Sequence, residues 1–403
     1  VLLALAALCG WLLGGCKKKG AFGLPPCGDG ICSSNEPFVC PQDCGGVQIN
    51  CGGEHTCAVK MADGSLWCWG LNNYGQLGTG DLRDGQAPIN TLVAGAVDAV
   101  FCGDSHTCAL SSGDRAVLCW GKNDSGQLGD GSYTDSATPV AVSGLDEIRL
   151  LTVGGAHTCA LRADATVWCW GWNAYGQLGR EPDPMGERRQ PTPIRVAGLA
   201  DVVRLSAGRV HNCALTRSGR VYCFGWNEYG QLGVPASLPY SASPVEIRDI
   251  GQVISLSAGS HHTCAVNTAG SVYCWGDNEY GQIGGGPLYT DRPFEVSGLD
   301  EGVAVTAARM HTCALIQDGT VHCWGGNASG QLGDGSTVTG STAPVQVATL
   351  LDVSYVTTGG YHTCAIERSG TIWCWGFNHS GQLGDDTLEN KNRPARVVGL
   401  GLE

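Results

Sequence analysis

The stretch HTCALRADATVWCWGWNAYGQLG, running from His157 to Gly179, holds the pattern on which the whole chain is built. Its His-Thr-Cys-Ala opening recurs at His55, His106, His157, His211, His262, His311 and His362, with Asn212 in place of Thr in the fourth copy. Successive anchors stand 51, 51, 54, 51, 49 and 51 residues apart. Each is followed by Cys-Trp-Gly, at Cys68, Cys119, Cys169, Cys223, Cys274, Cys323 and Cys374, with Phe224 replacing Trp in copy four. An Asn two residues after the Gly and a Gly-Gln-Leu-Gly run then close the motif; the fifth copy, Gly281 to Gly284, has Ile. Short alternating segments joined by glycine turns at a fixed period demand a stacked β architecture, and a propeller satisfies that demand.

The fold class expected is therefore all-β, a seven-bladed β-propeller of four-stranded antiparallel blades. Proline-led apolar segments begin at Pro88, Pro139, Pro193, Pro244, Pro293, Pro344 and Pro394. If each opens the blade that follows it, the last, Pro394 to Leu400, completes the blade that begins at Val47. The ring is then closed by the C-terminal strand, which removes open sheet edges.

The cysteines can be paired by register. From Cys213 to Cys223 the chain reads as a hairpin around Arg217-Ser218-Gly219, with Gly219 in the left-handed position. Counting back sets Leu215 opposite Val221, Ala214 opposite Tyr222 and Cys213 opposite Cys223. The cysteines then fall on a non-hydrogen-bonded pair, where Cα atoms lie about 4.5 Å apart, within disulfide reach. The same arithmetic pairs Cys159 with Cys169, Cys264 with Cys274, Cys313 with Cys323 and Cys364 with Cys374. With one extra loop residue it pairs Cys57 with Cys68 and Cys108 with Cys119. Cys51 and Cys102 occupy equivalent positions in copies one and two, which suggests a bridge between neighbouring blades. Two cysteines per copy lack the close spacing of zinc sites, so no metal is expected.

The N-terminal region reads as an export address. VLLALAALCGWLL, residues 1–13, is too short to span a membrane and fits the apolar core of a signal peptide. Leu13-Gly14-Gly15-Cys16 resembles the lipobox of bacterial lipoproteins, which implies lipidation at Cys16. Residues 1–15 are expected to be the signal and 16–26 a lipidated linker. The rest divides into a small cysteine-rich module, 27–46, and the propeller, 47–403. Cys27, Cys32, Cys40 and Cys44 are expected to form two disulfides in that module, with Asp29, Asn35, Glu36 and Asp43 as oxygens that could face Ca²⁺ or merely solvent. The expected location is the bacterial outer membrane or cell surface, with the membrane touched only through the lipid; simple secretion is the alternative.

These repeats resemble those of the regulator of chromosome condensation family, from about Val47 to Leu400. The resemblance implies the seven-bladed fold. It does not fix an activity, because the family includes nucleotide-exchange factors and ubiquitin-ligase modules, and related propellers include secreted β-lactamase inhibitors.

A net charge of -13, from 24 Lys plus Arg against 37 Asp plus Glu, leaves no obvious basic face for nucleic acid outside Lys17 to Lys19, so no nucleic-acid partner is expected. No activated serine, phosphate loop or acid–base pair stands out, so neither catalysis nor a cofactor is expected. Histidines recurring in every copy serve what every blade needs, and are expected to bond backbone at the start of each strand. Function should lie where copies differ on one face. The Gly-x-x-His and Trp-Gly-x-Asn loops share a side of the disc, and there stand Trp172, Tyr175, Arg209, Val210, Trp226, Tyr229, His261, Tyr280, Arg309, Met310, Tyr361, Phe377 and His379. Trp, Tyr and Arg dominate interface hot spots. The reading is a monomeric, non-enzymatic propeller that binds a protein or glycan. Inhibition of an extracellular enzyme such as a class A β-lactamase is the alternative. Nucleotide exchange fits an exported, oxidised chain poorly.

Overall fold

The structure is a computed structural model that describes residues 46–183 and 188–400. Among the described residues, twenty-eight strands form seven four-stranded antiparallel sheets, each taken from consecutive sequence. Blade one consists of Val47–Cys51, His55–Lys60, Ser65–Gly70 and Gly85–Asn90. Blade seven consists of Val353–Thr358, His362–Glu367, Ile372–Gly376 and Lys391–Arg396. The signal, the lipobox Cys16 and the module containing Cys27, Cys32, Cys40 and Cys44 lie outside the described residues.

Burial follows position in the blade. The second strand of each blade, as in His55–Lys60, is buried along nearly its whole length because both its faces meet neighbouring sheets. The third strand alternates: in Ser65–Gly70 Leu66 and Cys68 point inward while Trp67 stays half-buried. The fourth is half-exposed and forms the rim. Core clusters accordingly span pairs of blades; one joins Val47, Ile49 and Trp69 of blade one to Ile366, Ile372 and Leu383 of blade seven.

The hairpin register is as the sequence predicts. Leu215 faces Val221, Ala214 faces Tyr222 and Cys213 faces Cys223, and Gly219 has a φ of 79°. All seven hairpin disulfides are present: Cys57–Cys68, Cys108–Cys119, Cys159–Cys169, Cys213–Cys223, Cys264–Cys274, Cys313–Cys323 and Cys364–Cys374. Their Cα atoms stand 4.1 Å apart, the close spacing of a non-hydrogen-bonded pair.

Ring closure differs from the expectation. The C-terminal strand Lys391–Arg396 pairs with Ile372–Gly376 of its own blade, through Trp373 with Arg396 and Cys374 with Ala395. It does not complete the blade of Val47, whose fourth strand is Gly85–Asn90. Each proline-led segment is thus the outer strand of the blade before it. Proline has no N–H to give to a further strand, so it suits a rim position. The long loop after Gly-Gln-Leu-Gly hides that adjacency in the sequence. Asn378 folds it back, accepting from the Leu383 amide at 2.9 Å and donating to the Thr387 carbonyl at 3.0 Å.

The Cys51–Cys102 bridge is likewise absent, and both residues are buried free thiols. The reason is rotational. Cys102 Sγ lies 3.4 Å from the Asn50 carbonyl of blade one, and Cys51 Sγ lies 4.0 Å from the Thr357 carbonyl of blade seven. Each points to the preceding blade, so the two follow one another round the ring head to tail instead of converging. Burial pushes the Cys51 thiol up to about 12, which keeps it protonated and slow to exchange.

The histidines bond side chains of the next blade, not the backbone expected. His55 Nε2 meets Thr107 Oγ1 at 2.9 Å, and Thr107 donates to the Gln76 carbonyl at 2.8 Å. The hydroxyl hydrogen is thereby spent, so Nε2–H must be the donor and the lone pair sits on Nδ1. The same junction recurs at His106–Thr158, His211–Thr263, His262–Thr312, His311–Thr363 and His362–Thr56. Asn212 fits the remaining one because its amide supplies both functions: Oδ1 accepts from His157 at 3.1 Å and Nδ2 donates to the Gln177 carbonyl at 2.7 Å. The buried indoles of Trp69, Trp120, Trp170, Trp275, Trp324 and Trp375 donate to the glutamine carbonyls of the preceding blades as well. Seven like junctions, including the one between blades seven and one, close the ring.

Candidate functional site

The two variable loop sets do share a face. In every blade the residue after the Trp-Gly step (Phe-Gly in blade four) donates its amide to the residue before the anchor histidine. Examples are Trp172 to Ala156 at 2.8 Å, Trp226 to Val210 at 3.0 Å and Phe377 to Tyr361 at 2.9 Å. The third strand therefore returns beside the loop that opened the second, and the side chains of both project from one end of the disc.

Five of the candidate residues make a continuous ladder across blades three to five. Trp172 meets Tyr175 edge-on at 5.5 Å between centroids, Tyr175 meets Trp226 at 5.6 Å, and Trp226 meets Tyr229 edge-on at 5.4 Å. His261 ends it, 5.0 Å from Trp226 and stacked on Tyr229 at 5.7 Å. These edge-to-face and offset geometries are the favoured ones for aromatic pairs. All five rings are half-buried, so they support one another and still show a surface.

A second group lies across blades six and seven. The Arg309 guanidinium stands 5.3 Å over the Tyr361 ring, Tyr361 meets Phe377 at 6.2 Å, and Phe377 meets His379 at 4.6 Å. Met310 is half-buried beside Gly326. Tyr280 is 41% exposed, and Val210 is buried at 8% and contributes packing, not surface. Arg209 reaches back to Asp104, Nε to Oδ2 at 3.4 Å, so it is partly neutralised.

Charged residues that the sequence reading passed over complete this face. Asp277 occupies the repeat position of Trp172 and Trp226, and burial raises its carboxyl above the usual range. Burial raises Glu54 too, while the positive field of Arg309 acts to lower it. Lys122 stands 5.1 Å over the Tyr74 ring and pairs with Asp124 at 3.0 Å. Alignment of the loop positions copy by copy would have flagged all of these, since they replace residues already chosen as candidates. His261 is held down to about 4 by burial first and by Arg209 and Arg309 next, so it is neutral at physiological pH.

Two hollows open here. One of about 80 Å³ sits on the propeller axis, lined by loop glycines with Cys51, Cys102, Arg209 and Arg309. The other, of about 250 Å³, lies beside the ladder between Asp104, Lys122, Trp172 and Arg209. The arrangement offers rigid aromatic area bordered by paired charges, which suits recognition.

The profile of the RCC1-like domain matches residues 9–355 and, in a second alignment, 185–402. The chain belongs to the RCC1-like domain family. Among curated relatives, the ultraviolet-B receptor UVR8 of Arabidopsis thaliana is 31% identical over 370 residues, covering 89% of this chain and 71% of the receptor. The E3 ubiquitin-protein ligase HERC2 of Homo sapiens is 31% identical over 251 residues, 60% of this chain but only 5% of the ligase. Among solved structures, human WBSCR16 superposes with a TM-score of 0.76 at 25% identity, covering 83% of this chain and 94% of that one. Yeast RCC1 (Prp20), solved bound to Kap60, superposes at 0.75 with 20% identity, covering 97% of this RCC1-like chain and 91% of that one. At that identity the likeness to yeast RCC1 speaks to fold alone.

Proposed function

We propose that this RCC1-like propeller is an exported interaction module, tethered through lipid at Cys16, that captures a partner protein on its loop face. The carrying observation is the ladder Trp172–Tyr175–Trp226–Tyr229–His261, half-exposed and flanked by Arg209 and Arg309. Held in place by its neighbours, such a surface loses little side-chain entropy when a partner docks. Aromatic and Arg anchors at the centre of a face are where binding energy concentrates. Yeast RCC1, a propeller of the same fold, holds the protein Kap60.

The test is capture from cell-envelope extract by the soluble chain, with the retained proteins identified by mass spectrometry. A triple variant, Trp226→Ala with Arg209→Ala and Arg309→Ala, should lose the retained protein while keeping its thermal unfolding midpoint within a few degrees. Undiminished capture by that variant rejects the siting. Retention only of carbohydrate in the same experiment replaces the protein partner with a glycan. Radiolabelled palmitate incorporation, lost in Cys16→Ser, tests the tether separately.

A further inference from the structure

We propose that the hollow of about 250 Å³ beside the aromatic ladder is a binding site for a small organic acid, a carboxylate carried on a flat apolar stem. The site stands apart from partner capture, because a free acid can occupy it whether or not a protein docks on the face.

The hollow exists because copy three carries small residues where most copies carry larger ones. The position before the anchor histidine holds Glu54, Ser105, Val210, His261, Met310 and Tyr361, but Ala156 in blade three. One residue earlier, Gly155 clears the way for a pair that crosses the blade: a Cβ there would meet Arg209 Cγ at 2.8 Å and Asp104 Oδ2 at 3.2 Å. Arg209 of blade four thus reaches over blade three to Asp104 of blade two. Further walls come from the strand that returns beside each loop. Lys122 donates its amide to the Ser105 carbonyl at 2.9 Å and Trp172 to the Ala156 carbonyl at 2.8 Å, which brings a cation and an indole to the same hollow.

The charge favours an anion. Two cations, Lys122 and Arg209, and one carboxylate, Asp104, line the hollow, so its wall is positive in a chain of net charge -13. Neither cation is fully committed. Lys122 pairs with Asp124 at 3.0 Å and Arg209 with Asp104 at 3.4 Å, and the four side chains are 31% to 59% exposed, which makes such pairs weak.

Gln127 points to a carboxylate. It is 1% exposed and lines the hollow. Its Oε1 accepts from the Ser125 amide at 2.9 Å, while Nε2 has no hydrogen-bond partner among the described residues. Gln177, Gln231 and Gln382 leave the same atom unpaired, so that alone marks nothing. What marks Gln127 is its place on the hollow together with Lys122. Copy five shows which partner this amide takes: Gln282 Nε2 donates to Asp277 Oδ2 at 3.0 Å, and Asp277 stands at the repeat position of Lys122. The fifth blade carries its own carboxylate, whereas the second carries a cation and leaves the carboxylate to a ligand.

Trp172 selects the stem. Tyr175 holds the indole edge-on at 5.5 Å, and the half-buried ring gives a rigid apolar surface against which a flat group can pack. A tetrahedral anion would engage the cations and leave that surface idle. Pockets for drug-sized ligands start at about 300 Å³, so this one suits a single ring bearing its acid.

Benzoate is the probe, and its affinity for the full chain is read by saturation-transfer NMR, with benzamide and inorganic phosphate as comparators. Benzamide has the same shape without the charge and should bind about tenfold more weakly or worse. Phosphate should displace benzoate poorly. Lys122→Met keeps a stem over Tyr74, and Gln127→Glu keeps the acceptor for Ser125 while turning the donor into a like charge; each should weaken benzoate by about tenfold or more. Ala156→Met should abolish binding by occupying the hollow, and Met310 shows that the position accepts methionine. Thermal midpoints within a few degrees of wild type confirm folding. Undiminished benzoate binding in Lys122→Met or in Ala156→Met overturns the site, as does the lack of saturable binding to the wild type. Equal affinity for benzamide overturns the carboxylate, and phosphate competing as well as benzoate itself overturns the stem.

Discussion

Thr56 accepts a hydrogen bond of 2.9 Å from His362, a residue 306 positions further along the chain. The first and last blades meet through this contact and its neighbours, not through a shared sheet. Thr56→Val removes both the acceptor for His362 and a donor to Gln382, leaving buried polar groups unpaired. A loss of about 1–3 kcal/mol is expected in urea unfolding. Thr56→Asn should cost distinctly less, because Asn212 performs both roles at the junction of blades three and four. Thr107→Val, at an internal junction, should match Thr56→Val; a much smaller effect at Thr56 would show that the seam is held by something else.

Acid should destabilise the ring. Burial holds His211, His262 and His311 down to about 3, against an ordinary value of 6.5. Between those values the unfolded chain binds protons that the folded chain refuses. Stability is therefore fully present above about pH 6.5 and falls as the pH drops toward 3, by at most about 1.4 kcal/mol per pH unit for each such histidine. Urea midpoints at pH 7, 6, 5 and 4 should decrease monotonically. A flat profile from pH 7 to 5 contradicts neutral, buried rings.

The hairpin disulfides should resist reduction in the native state. Cys213, Cys223 and their counterparts have no exposed surface, so a reductant has to wait for opening of the blade. Dithiothreitol followed by alkylation and mass spectrometry should leave these bridges intact without denaturant and open them in concentrated guanidinium. Removing one pair, Cys213→Ala with Cys223→Ala, should cost up to about 3 kcal/mol, less if the hairpin is partly formed in the unfolded chain. Rapid native reduction would mean that the blades open easily.

Arg209→Ala should change stability by less than about 1 kcal/mol, because its pairing with Asp104 is half in solvent. Trp226→Ala should cost more, since the ring packs against Tyr175, Tyr229 and His261. Differential scanning calorimetry separates the two. An Arg209 effect as large as that of Trp226 would make the arginine structural.

Much of the architecture was legible because it is written seven times. The hairpin register from Cys213 to Cys223 follows from a three-residue glycine loop, a local rule that tertiary context does not override. The partner of the C-terminal strand was not legible, since a loop intervenes between Gly384 and Lys391 and only the fold of Asn378 shows which way the chain returns. The prolines carried the missing signal: a residue without an N–H marks a rim strand. For the thiols, the sequence placed Cys51 and Cys102 at equivalent positions but could not say that rotation aims both the same way round. On the candidate face, residue types were readable and connectivity was not. That Trp172 to His261 form one ladder while Arg309, Tyr361 and Phe377 form another depends on side-chain directions between blades.

Because every blade is one uninterrupted segment, the ring has no privileged beginning. Opening the chain between Asn90 and Val97 and linking the old ends would cut no sheet. By the same logic a tandem duplication of one repeat adds a complete blade with both of its junctions, and the deletion of one removes a complete blade. The propeller is thus a modular inheritance, in which each blade can diverge on the loop face while its junctions keep it interchangeable with the others.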